Sequence, residues 1–127
     1  MKYTHFDVAQ DGFYGAYWPC PSGADCALIA MLGDDPEDHM ARSAVKWLQR
    51  QGVNVMTMSP GRKDYSHHNY PLERIETAIA WLKARGNKRV GIAGASTTGT
   101  LALTAASMFP ELTLTIAMTA SDFVWQG

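Results

Sequence analysis

No stretch of the 127-residue chain approaches the roughly 20 consecutive apolar residues that a membrane-spanning helix needs. The opening MKYTHFDVAQ also lacks the apolar core of a secretory signal, so the cytoplasm is the expected compartment. Charge of either sign is not in excess: 11 Lys and Arg stand against 12 Asp and Glu, for a net charge of -1. Phosphate-backbone binding needs a clustered cationic surplus, so a nucleic-acid partner is not expected. Arg85, Lys88 and Arg89 do cluster, but they flank a helix end, where positive charge suits the macrodipole. Cysteine is scarce. Cys20 and Cys26 are separated by PSGAD, with no CxxC spacing, no second pair and no histidine nearby to complete a zinc site. Two free thiols, no metal and no cofactor are expected. The chain also lacks repeats, low-complexity tracts and linkers. What it has is a hydrophobic fraction of 46% against 18% charged, the balance of an ordinary globular protein with a sizeable core. One domain spanning 1–127 is expected.

Periodicity supplies the architecture. YTHFDVA and FYGAYWP flank Asp11-Gly12 and read as a hairpin, with Gly12 supplying the positive-φ turn. ALIAML, from Ala27 to Leu32, is a continuous apolar run suited to a strand buried on both faces. Asp35 is placed to cap a helix whose first position is Pro36, with Met40, Ala44, Val45 and Leu48 as its apolar stripe and Gly52 beyond its end. VNVMTM, from Val53 to Met58, is the next strand, followed by a polar loop from Ser59 to Tyr70. A second helix starts at Pro71 and carries Leu72, Ile75, Ile79 and Leu82; Gly86 ends it. Arg89 to Ala93 is a third buried strand, Thr98 to Met108 a third helix stopped by Pro110, and Leu112 to Met118 a fourth buried strand. A hairpin followed by β-α-β-α-β-α-β predicts an α/β fold: a mostly parallel sheet with flanking helices and an N-terminal antiparallel hairpin.

The stretch GIAGASTTGTLALTAA, from Gly91 to Ala106, passes from strand to helix through one serine, Ser96. A serine raised on such a turn is held in a strained backbone, so its neighbours two residues away must be small. Gly94 meets that demand on one side; on the other stands Thr98, with Gly99 one position later. The match to G-x-S-x-G is partial. At a helix N-terminus the unpaired backbone N–H groups can stabilise an oxyanion. Thr97 N–H is the first donor expected, and the Gly33-Asp34 loop is in the right place for a second. The plainer alternative makes Ser96 a helix cap or a small loop residue. No phosphate-loop motif is in frame.

With these pieces in order, the chain resembles the N-terminal part of an α/β-hydrolase. The likeness is to the dienelactone-hydrolase-like branch and to the C-terminal domain of acyl-CoA thioesterases and bile-acid-CoA:amino-acid N-acyltransferases. It is carried by PLERIETAIAWLKARGNKRVGIAGASTTGTLALTAASMFPELTLTIAMTAS and by SDFVWQG, and it runs from about Cys26 to Gly127. The resemblance implies that Ser96 is the nucleophile and that the Thr97 amide and the Gly33-Asp34 loop form the oxyanion hole. It implies a small-molecule ester or acyl thioester, such as an acyl-CoA, as substrate. The acyltransferase relatives carry Cys where this chain has Ser96. An oxygen ester resists aminolysis better than a thioester, which favours hydrolysis over acyl transfer.

The family's acid and histidine follow the serine in chain order. Here Glu111 and Asp122 are the acidic residues after Ser96, and all four histidines (His5, His39, His67 and His68) precede it. The resemblance therefore implies a fold cut short after the strand Leu112–Met118, whose apolar edge would pair with a second copy or a complementing chain. His67 and His68 lie in the loop after VNVMTM, on the expected active edge, and Arg62 and Lys63 give that loop a positive face suited to CoA phosphates. A solvated loop is the plainer alternative. Two other functions stay open: a non-catalytic hydrolase-like binding or assembly module, and a flavodoxin-like domain whose GASTTG loop holds an anion.

Overall fold

The computed structural model describes residues 2–31, 35–58, 72–95 and 97–118. Along them run β1 (Thr4–Phe6), α1 (Val8–Asp11), β2 (Gly15–Trp18), β3 (Cys26–Met31), α2 (His39–Arg50) and β4 (Asn54–Met58), then α3 (Glu73–Ala84), β5 (Arg89–Ala95), α4 (Thr97–Met108) and β6 (Leu112–Met118). The strands form one six-stranded sheet in the order β1-β2-β4-β3-β5-β6. β1 and β2 pair antiparallel, as do β2 and β4; β4, β3, β5 and β6 are parallel. This is the mixed α/β sheet expected from the sequence.

The strand order fixes where the helices go. The step from β3 to β4 moves one way across the sheet; the steps to β5 and on to β6 move the other way. Parallel crossovers are right-handed, so reversing the direction of travel reverses the face on which the crossover helix lands. Side-chain alternation records the result. Met56, Met58, Ile29, Val90 and Ile92 join Ile75 and Leu82 of α3 and Ala102 and Ala105 of α4 in the larger core. Val55, Ala30, Ala16 and Trp18 join Val45 and Leu48 of α2 in the smaller one. Among the described residues, α3 and α4 thus share one face and α2 covers part of the other.

Two local expectations are corrected. Asp11-Gly12 is not a two-residue hairpin turn. The Asp7 side chain accepts from Gln10 N at 2.9 Å and the Asp11 carboxylate accepts from Asp7 N at 2.9 Å, and these bonds wind the connection into the helical turn α1. Gly12 keeps its positive φ of 85°, but as the cap that ends that turn. Helix α2 is capped by Asp38, not Asp35. The Asp38 carboxylate accepts from Ala41 N at 2.8 Å, and the helix starts at His39. Its sequence carries two adjacent apolar stripes, and the sheet takes Ala41 and Val45 while Met40 stays 59% exposed. Pro71, the expected start of α3, lies outside the described residues; Ile75, Ile79 and Leu82 are buried as expected.

Candidate active site

Strands β3, β4 and β5 end on the same edge of the sheet, with Ala30 beside Thr57 and Met31 beside Gly94. The chain reverses its direction of travel around β3, and the carboxyl edge at such a reversal is where open α/β sheets bind ligands. Three candidate segments leave from this edge. Residues 32–34 follow β3, 59–71 follow β4, and 96 follows β5. The segments after β3 and β5 start on neighbouring strands, about 5 Å apart, and the one after β4 starts two strands from β5, at about 10 Å.

Ser96, Gly33, Asp34, Arg62, Lys63, His67 and His68 themselves lie outside the described residues. Around Ser96 the frame is defined: β5 ends at Ala95 and α4 begins at Thr97, so one residue separates strand from helix. Gly94 is buried within β5, between Met31 and Ala117, and Gly99 falls in the first turn of α4.

A polar clasp holds the segment that follows residues 33–34, and nothing in the local sequence announces it. Tyr14 Oη donates to the Asp35 carboxylate at 3.0 Å, which also accepts from Glu37 N at 2.9 Å. Thr57, fully buried, donates to the Pro36 carbonyl at 2.7 Å and accepts from Trp18 Nε1 at 2.8 Å. Tyr3 Oη donates to Glu37 at 3.1 Å, and His5 Nδ1 lies against the other Glu37 oxygen. Arg42 Nε donates to the Glu37 carbonyl at 2.8 Å, with its guanidinium over the rings of Tyr3 and Trp18. The antiparallel strands β1 and β2 thereby fasten the entry to α2, which fixes one side of the carboxyl edge.

The opposite edge is structural. Asn54 accepts from Cys20 N at 2.7 Å and donates to Ala24 O and to Asn87 Oδ1, while Asn87 donates to Leu82 O at 3.0 Å. Cys20 and Cys26 are both free. Of the basic cluster, Arg85 lies over the rings of Trp81 and Tyr17, and Lys88 Nζ stands 3.9 Å from Asp25. Among the described residues no three His, Cys, Asp or Glu gather into a metal-binding group, and no helix is long and apolar enough to cross a membrane.

The fold is matched by solved structures. The α/β-hydrolase GrgF from Penicillium sp. sh18 superposes with a TM-score of 0.71 over 91% of this chain, at 23% identity. The fold is that of the α/β-hydrolases. The Pyrococcus furiosus esterase Pf2001 gives a TM-score of 0.71 over 90% of the chain at 20% identity, and a soluble variant of the Saccharomyces cerevisiae monoglyceride lipase gives 0.62 over 92% at 20%. The chain spans 44%, 49% and 42% of those three proteins respectively, about half of each. No family model and no curated protein matches the sequence.

Proposed function

We propose that residues 1–127 carry the nucleophile of a serine hydrolase acting on a small ester or acyl thioester. The observation that carries this reading is the junction at Ser96: a single residue between a central parallel strand and a helix N-terminus, on the edge where β3 also ends. Neighbours in fold include an esterase and a lipase, which supports ester chemistry. The Ser96 Oγ attacks the acyl carbonyl and its proton passes to a histidine. The tetrahedral oxyanion is met by the amides of Thr97 and of the Gly33-Asp34 loop. The C–O or C–S bond breaks, and the leaving alcohol or thiol takes the proton. Water then repeats the sequence on the acyl-enzyme.

An unassisted serine hydroxyl is a poor nucleophile near neutral pH. Within these residues the base is His67 or His68, from the segment that follows β4 in the chain; otherwise a complementing polypeptide supplies it. Arg62 and Lys63 in the same segment suit the phosphates of a CoA thioester.

The test is fluorophosphonate labelling of the purified chain, read by intact mass beside Ser96→Ala. One adduct on the folded chain, absent from the mutant, is the expected result. Folded chain that takes no label, alone or with a complementing fragment, would remove the nucleophile and leave a binding module with a hydrolase fold.

A further inference from the structure

The turn from α3 into β5, KARGNKR at 83–89, carries Lys83, Arg85, Lys88 and Arg89 and no acidic residue. All four cations are exposed. The helix macrodipole accounts for Lys83, in the last turn of α3, and for Arg85 at its C-cap. That effect falls off beyond the last turn, and Arg89 already opens β5, so Lys88 and Arg89 are left without this reason to be basic. Hydrogen bonds fix the turn. The buried Asn87 donates to Leu82 O from its backbone N–H at 3.1 Å and from its side chain at 3.0 Å. Asn54 donates to Asn87 Oδ1 at 2.8 Å, and Lys88 N–H donates to Asp25 O at 2.7 Å. The Arg85 guanidinium rests over the rings of Trp81 and Tyr17, and Lys83 Nζ donates to Lys88 O at 3.3 Å. Among the described residues, Asp25 is the one carboxylate that pairs with any of the four, 3.9 Å from Lys88 Nζ, with both side chains widely exposed.

We infer that this turn is a docking surface for an acidic polypeptide segment, a short run of glutamates or aspartates presented by a partner protein. Three observations choose that occupant. The first is density with order. Four cations stand on a turn already tied to α3, β3 and β4, and the Arg85 fork is held on two rings, so little side-chain freedom is lost when carboxylates arrive. The second is separation of charge. Asp38 caps α2 and Glu73 and Glu76 lie in the first turn of α3, at the other end of the sheet. That end is about 20 Å away along the strands, more than about two Debye lengths at physiological ionic strength, so the net charge of -1 does not cancel the local field. The third is the absence of a stacking platform. Single-stranded nucleic acids add base stacking on exposed rings to their phosphate contacts. Here Tyr17 is buried and Arg85 lies over Trp81, which leaves charge pairing as the means of recognition. The surface faces away from the edge where β5 ends, and the inference does not depend on Ser96 being a nucleophile.

The probe is a fluorescent, acetylated hexaglutamate, titrated with the full chain and read by anisotropy beside a thymidine hexanucleotide. One-to-one binding of the peptide that weakens as salt is raised is expected. Lys88→Glu, at an exposed position, should weaken it about tenfold without changing the circular dichroism. Lys46→Glu makes the same change of charge on α2, across the sheet, and should leave the affinity within about twofold. Asp25→Asn removes the carboxylate that competes for Lys88 and should tighten binding about threefold. In the unaltered chain, the peptide should shift the amide resonances of 83–89 and not those of α2. Three outcomes overturn the proposal: the folded chain leaves the peptide free at about 1 mM; Lys46→Glu weakens binding as much as Lys88→Glu, which reduces the effect to net charge; or the hexanucleotide binds more tightly than the peptide, which makes a nucleic acid the occupant.

Discussion

Thr57 serves two distant partners from a fully buried position in β4. It accepts from the indole of Trp18, itself buried on β2, and donates to the carbonyl of Pro36. Thr57→Val keeps the shape and strands both partners. Leaving buried donors and acceptors unmet should lower stability by about 1–3 kcal/mol in urea denaturation, and an unchanged midpoint would show that water replaces the hydroxyl. The sequence could not announce this role. In VNVMTM, Thr57 reads only as a polar residue in an apolar strand, and its partners stand 21 and 39 positions away. The same holds for Tyr14 with Asp35 and for His5 with Glu37. Ser96 is different, because its case is local: Gly94 before it, a buried strand on one side and a helix on the other. The strand-to-helix junction around residue 96 was therefore legible in the sequence, and the clasp on Asp35, Pro36 and Glu37 was not.

At the scale of elements, β2 and β4 meet through a glycine. Gly15 faces Met58, and a Cβ there would lie 2.7 Å from the Thr57 carbonyl oxygen, which is backbone and cannot swing away. Gly15→Ala should therefore cost about 1–3 kcal/mol through strand displacement, visible as a lower melting temperature. A neutral effect would mean that the β2–β4 pair is looser than drawn. The parallel strands were legible because burial on both faces leaves unbroken apolar runs, and α3 because one stripe, Ile75, Ile79 and Leu82, dominates it. Local reading failed where two solutions compete. Met40 and Ala41 each begin an apolar stripe on α2, and only contact with the sheet decides between them. Asp35 and Asp38 are both plausible caps, and Tyr14 engages Asp35, leaving Asp38 to Ala41. The hairpin was legible as a pair of strands but not in its connection, where Asp7 and Asp11 wind a helical turn.

At the scale of the whole molecule, stability should fall away from the middle of the sheet. β3 is paired on both sides and buried from Ala27 to Met31, while β1 and β6 end the sheet order and expose residues along their length. Native-state hydrogen exchange should find the slowest amides in β3, β4 and β5 and the fastest strand amides in β1 and β6. Equal protection across the sheet would mean that the edge strands are covered in solution. Among the described residues no helix covers the α2 face of β5 and β6, where Leu114 and Ile116 are exposed, and that has a thermodynamic consequence as well. Any molecule that covered these side chains in the native chain and not in the unfolded one would tie folding and association into a single equilibrium. A partner at one hundred times its dissociation constant would add about 2.7 kcal/mol to the native state. The melting temperature of these 127 residues then belongs to a solution of stated partner concentration rather than to the chain itself.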